Sequence, residues 1–388
     1  MAKTVLRALT LTALLSLTGG CSWLSDLTAG EENVDPPKPL EEFTPTLSMT
    51  RLWTAQGGAV GEFDVPLRLA IAGSRVYVAG SSGEVRALDA STGARIWEAN
   101  LDETLVGGVA HGEGLVVVST RSAQVVALSE ADGSEVWRRR LSGQANAPVA
   151  ISGNRVVART ADGHLFGLDV ADGAEVWNFE RRLPALTLRG TGRPLITRGL
   201  AIAGFDNGRL VVLGANDGQA VWERTVTTPR GRSELERMVD IDADPKLLGD
   251  KVYVVAFQGR VMEINLSDGS VNWARDMSSH AGLDVGPRFV AVSDSSGDLW
   301  LLDRQSGQPL WKQDALQGRA PTGPAVVGSH LVVADFEGYL HVFSVETGRT
   351  VAREQVDSGG VAVAPVVDNG VVYVLGRGGV VSAYRPGA

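Results

Sequence analysis

The chain has 388 residues, 44% of them hydrophobic and 21% charged, and a formal net charge of −9. Such a composition is globular and can bury a large core, and an acidic chain without a basic cluster excludes nucleic acid and electrostatic docking on anionic lipid. Cys21 is the only cysteine, so an internal disulfide and a cysteine-based metal site are excluded as well.

In chain order, residues 1–20 carry two basic residues, Lys3 and Arg7, then the apolar run ALTLTALLSL and the small residues TGG. This pattern is a secretory signal, too short to cross a bilayer. The junction Thr18-Gly19-Gly20-Cys21 resembles the bacterial lipobox, with Thr18 where Leu is usual. That resemblance implies that Cys21 becomes the lipidated first residue, and Ser22 in place of Asp implies sorting to the outer membrane, facing the periplasm. Two or more acyl chains, at about 0.8 kcal/mol per buried methylene, give stable anchoring. Residues 21–46 include GEENVDPPKPLEEFTP, rich in Pro and Glu and without apolar periodicity, and are expected to form a flexible tether.

From residue 47 to the end the chain repeats itself. ALDASTGARIW (87–97), ALSEADGSEVW (127–137) and GLDVADGAEVW (167–177) are followed by shorter forms ending at Trp222, Trp273 and Trp311, and by SVETGRTVA (344–352), where Ala352 replaces the Trp. A period near 40 residues marks an array of supersecondary units. Within residues 147–180, β-branched runs at 149–151, 155–159, 164–169 and 175–179 alternate with SGN, ADG and ADG turns, which predicts four strands per repeat. Pro66, Pro148, Pro194, Pro245, Pro324 and Pro365 each open a first strand, where a missing N–H costs no ladder bond. Short antiparallel strands in this number and period predict an all-β fold, an eight-bladed β-propeller of four-stranded blades, rather than an open solenoid. Three strands follow Ala352 (near 361–367, 371–375 and 380–384) without a fourth, and LSMTRLW (47–53) is a strand without predecessors. The N-terminal strand is therefore expected to close the last blade and remove an exposed edge.

Chemistry-bearing motifs are scarce. The chain has no nucleophile elbow, Walker loop or dinucleotide fingerprint, and its five histidines lack metal-pair spacing. DIDADP (240–245) alternates Asp like a calcium loop, but Pro245 and Lys251 stand where Gly and Glu are needed, so it reads as a solvated acidic loop. No catalytic residue, metal site or cofactor is expected. The repeat AxDxxTGxxxW resembles that of pyrroloquinoline-quinone (PQQ) dehydrogenases, which supplies the alternative of a periplasmic PQQ-dependent dehydrogenase-like propeller. Those enzymes carry an adjacent Cys pair, a calcium-binding carboxylate set and a catalytic Asp, which this chain lacks.

A second resemblance spans nearly the whole chain. Lipobox, acidic tether and eight such repeats, with LTLRG (186–190), FDNGRL (205–210) and SELERMVDIDADP (233–245), resemble the BamB family, lipoprotein subunits of the outer-membrane β-barrel assembly (BAM) machinery. The resemblance implies a non-catalytic role in inserting barrel proteins and docking on the periplasmic POTRA domains of a BamA-like barrel subunit. It also implies indirect association with other BAM lipoproteins and, as a further candidate partner, unfolded outer-membrane proteins. It places the partner surface at the positions of Leu186, Leu188, Arg189, Asp240 and Asp242. Independently of the family, the two longest Trp-to-Trp intervals follow Trp177 and Trp222, and these extra residues are expected as exposed loops on one face of the ring.

Overall fold

The computed structural model describes residues 36–60, 67–184, 186–187 and 192–387. Among them there is no helix, and the strands form eight antiparallel four-stranded sheets. In blade three the strands are Ala150–Ser152, Arg155–Arg159, His164–Asp169 and Glu175–Glu180, paired in sequence order from the inner to the outer strand. Blades one to seven repeat this arrangement. Because consecutive strands are antiparallel, the Asp-Gly turns between third and outer strands lie on one face of the ring. The connections from each outer strand to the next blade lie on the opposite, loop-bearing face.

The Trp and the Asp-Gly turn belong to one device. Each outer-strand Trp donates its indole N–H to a carbonyl in the Asp-Gly turn of the following blade: Trp53 to Ala90, Trp97 to Glu130, Trp137 to Val170, Trp177 to Ala215, Trp222 to Leu266, Trp273 to Arg304 and Trp311 to Val345 (2.7–2.9 Å). The ring of that Trp lies flat against the turn glycine. A Cβ at Gly133, for instance, would stand 2.6 Å from Trp97, and its φ of +78° is one that L side chains rarely adopt. Burying an indole removes about 150–250 Å² from water, an upper bound of about 4–6 kcal/mol per joint, so apolar contact outweighs the roughly 1 kcal/mol hydrogen bond.

Every outer strand also slips register immediately before the Trp position, so the residue there is an extra, unpaired one: Leu52, Ile96, Val136, Val176, Val221, Asn272, Leu310 and Val351. These bulges bend the free edge of each blade and spoil it as a pairing template.

The eighth blade is closed as expected. Met49–Gln56 pairs with Val380–Pro386, outside Val371–Leu375 and Val366–Asp368. Its third and outer strands come from opposite ends of the chain, so no Asp-Gly turn joins them. Among the described residues, the Gly387 N–H to Ser48 carbonyl bond (2.7 Å) bridges the gap. This explains Ala352: a Trp in blade seven would have no turn to receive it. Ala352 is instead buried in a cluster against which Leu47, Met49 and Val351 pack.

Part of the segment expected as a free tether is held by the ring. The Lys38 N–H bonds the Gln317 carbonyl (2.9 Å), Arg319 reaches the Lys38 carbonyl (3.3 Å), and Arg353 reaches that of Glu41 (3.1 Å). Arg353 also lies 5.1 Å from the centre of the Phe43 ring, and the N–H groups of Thr46 and Leu47 converge on the Val351 carbonyl (3.0 and 3.1 Å). Residues 38–47 thus run as a strap along the outer edge of blade seven, from the loop-bearing face to the turn face. Behind it, buried Asp335 accepts from Arg319 (2.8 Å) and pairs with His341 (3.0 Å).

Candidate partner-docking site

The two insertions leave blades three and four on the loop-bearing face, and the structure brings them together. The Arg193 N–H donates to Asp244 (2.8 Å), and Gly192 sits so close to the Ala243 carbonyl that a Cβ would be 2.8 Å from it. Asp244 also pairs with Arg68 from the start of blade one. Burial pushes Asp244 up, but Arg68 and the Arg193 N–H more than offset this and hold it below the usual carboxylate range. These groups line a cavity of about 910 Å³ at the ring axis, to which residues from all eight blades contribute.

Of the five expected contact residues, Leu186 is 43% exposed, as a docking residue requires. Leu188 and Arg189 lie outside the described residues, as does Cys21. Asp240 and Asp242 differ from the expectation of an exposed, solvated acidic loop, because both are buried. The physical reason is that the second insertion has two legs. Residues 228–237 form an exposed apex, whereas Met238–Ala243 return beneath blade four, all buried. The Asp240 carbonyl accepts from Phe257 (2.8 Å), and Ile241 packs on Gly204, where a Cβ would be 2.3 Å from its methyl group. Burial raises Asp242 to about 6, opposed by Arg159, by a hydrogen bond with Asp240, and by Arg68.

Sequence reasoning missed two residues here. Leu235, at the apex, is 64% exposed and is the most exposed large apolar side chain named among the described residues. It lies inside a Ser-x-x-Glu turn in which the Glu236 carboxylate accepts from the N–H groups of Arg232 (2.6 Å) and Ser233 (3.2 Å), and Ser233 Oγ accepts from Glu236 N–H (3.2 Å). That capping pattern in SELE was the available signal. The other is Arg159, at the end of the second strand of blade three. It is fully buried, ion-paired with Asp206, and lies 5.3 Å from the Phe205 ring centre.

Fold and repeat define the class: an eight-bladed propeller of PQQ-like repeats whose conspicuous additions are two loops on one face. Its likeness to a quinohemoprotein alcohol dehydrogenase from Comamonas testosteroni (14% identity, TM-score 0.70, 87% of this chain and 76% of that one) shows the fold alone. The sequence profile of the family described as outer membrane protein assembly factor BamB matches residues 47–107, 81–313 and 302–386, and the chain belongs to that family. It is 50% identical over 350 residues to the outer membrane protein assembly factor BamB of Pseudomonas aeruginosa, covering 90% of this chain and 92% of the relative. The crystal structure of BamB from Moraxella catarrhalis superposes with a TM-score of 0.81 at 26% identity, covering 87% of this chain and all of that one.

Proposed function

We propose that this protein is a non-catalytic scaffold of the outer-membrane protein assembly complex. Residues 1–20 are a cleaved signal, Cys21 carries lipid in the outer membrane, 21–46 is the tether with its last residues strapped to blade seven, and the propeller of 47–388 faces the periplasm. In this reading the joined loops after blades three and four dock on POTRA domains of a BamA-like subunit. Leu186, Leu188 and Arg189 make contacts, and Asp240 and Asp242 support the surface from below. The observation that carries the reading is the meeting of the two insertions at Arg193 and Asp244, together with the exposure of Leu186 in the first and Leu235 in the second. Exposed leucines anchor a desolvated contact, while Arg189 fixes orientation. Changing Leu186→Ala with Leu188→Ala is expected to weaken binding by roughly 2–4 kcal/mol, about 30-fold to nearly 1000-fold, with an unchanged melting temperature. Copurification of the barrel subunit measures this; full binding by the double variant and by Arg189→Ala would move the docking site elsewhere on the ring. For the anchor, Cys21→Ser should release the protein from outer-membrane fractions after a salt wash.

A further inference from the structure

We propose that Arg159 is the positioning residue of the docking face: its buried guanidinium holds the returning leg 238–244 against blades three and four, and so sets where the apex 228–237 stands. The inference rests on the docking reading above and deepens it. Arg159 projects from the second strand of blade three and is buried with Asp206, which lies in the turn after the second strand of blade four. Two residues before Asp206, Gly204 is the seat of Ile241, and Ile241 is flanked by Asp240 and Asp242. One buried cation therefore pairs with a carboxylate of blade four beside the seat of the second insertion's Ile241. It is attracted by Asp240 and Asp242 as well as by Asp206.

Bulk solvent does not cover this point, since Arg159, Asp206 and Asp240 are each no more than 3% exposed. A planar guanidinium with five donors can serve several carboxylates in fixed directions, which a point charge cannot. The leg it holds is joined in turn to the first insertion, through Asp244 and the Arg193 N–H. The exposed leucines of both loops thus depend on one buried side chain that touches neither of them. Asp240 and Asp242 then matter to docking through Arg159, not through contact with the partner.

The test combines amide exchange of the full propeller with its affinity for the purified periplasmic domains of the barrel subunit. Arg159→Met is expected to speed exchange across 228–244 by about tenfold or more, while the second and third strands of blades three and four stay protected. Affinity should fall by about tenfold or more in parallel. Should that variant not fold, Arg159→Lys keeps the charge without the fork and is expected to show both effects at about threefold. Unchanged loop exchange in the folded variant overturns the proposal. So does faster loop exchange with undiminished affinity, provided the docking face itself holds. Leu186→Ala with Leu235→Ala tests that face separately. It should lower affinity with exchange unchanged, and full affinity there would sink the docking reading while the exchange data still decide what Arg159 holds.

Discussion

Seven of the eight joints between blades are made the same way, and the joint between blades seven and eight is not. In the seven, an indole from one outer strand lies on the glycine of the next blade's turn and donates to the carbonyl three residues before that glycine. At the remaining joint the turn is absent because the chain ends meet there, Ala352 stands in place of Trp, and a strap of residues 38–47 covers the edge. The difference teaches that the Trp-and-glycine signature is not a property of a blade. It belongs to the contact between two blades, and it disappears where its receiving half is missing.

The strongest way to break the comparison is to remove the closing strand. Deleting residues 47–56 leaves blade eight with three strands and an open edge, and strand exchange or aggregation is expected in place of a monomer. Size-exclusion chromatography with light scattering measures this, and an unchanged monomer with an unchanged melting temperature would contradict it. Next in size, Trp97→Ala removes the apolar half of a regular joint and is expected to cost about 3–5 kcal/mol by urea denaturation. A smaller loss, about 1–3 kcal/mol, is expected for Ala352→Trp, which places the joint's residue where nothing receives it and overfills a packed site. If that change stabilised the ring, the account of Ala352 would be wrong.

The smallest effect belongs to the strap. Replacing Arg353→Met removes its bond to Glu41 and its place over Phe43. Global stability should change by less than about 1 kcal/mol, yet the amides of Lys38, Thr46 and Leu47 should exchange faster. The same region carries a pH signature. Burial holds His341 below its ordinary 6.5 despite the opposing carboxylate of Asp335, with Arg353 and Arg319 adding to the lowering. Unfolded or opened His341 binds a proton first, so blade seven should weaken as pH falls below about 6.5. Across the ring the sign reverses. Asp242, raised to about 6, takes up its proton in the folded state before the unfolded state does, so the loop around it should tighten as pH falls through 6. Exchange at pH 7.5 and 5 distinguishes the two.

Much of the ring could be read from the chain because its information is local and repeated. Turn residues, strand alternation and the Trp return seven times, and the leftover strand at 47–53 had one place to go. The strands of blade three fall within one residue of the runs predicted for them. The docking site was legible only in outline. The lengths of the insertions marked them, but the burial of Asp240 and Asp242 depends on Gly204 and Arg159, which lie in other blades. An alternating Asp-Ile-Asp-Ala-Asp looks the same whether water or a guanidinium meets its carboxylates. Arg159, at the end of a short strand, gave no sign of being buried, since its partner Asp206 is 47 positions away.

Closure by the two ends of the propeller also orders events in time. Val380 pairs with Gln56 across more than 300 residues, whereas the other outer strands are joined to their neighbours by turns of a few residues. Loop-closure entropy grows with the logarithm of length, so this pairing costs about 4 kcal/mol more than a five-residue turn. A chain emerging vectorially, amino end first, can build blades one to seven as they appear. Throughout that interval Met49–Gln56 is an unpaired strand waiting for the last residues to arrive, and its cover until then is a matter for whatever meets the nascent chain.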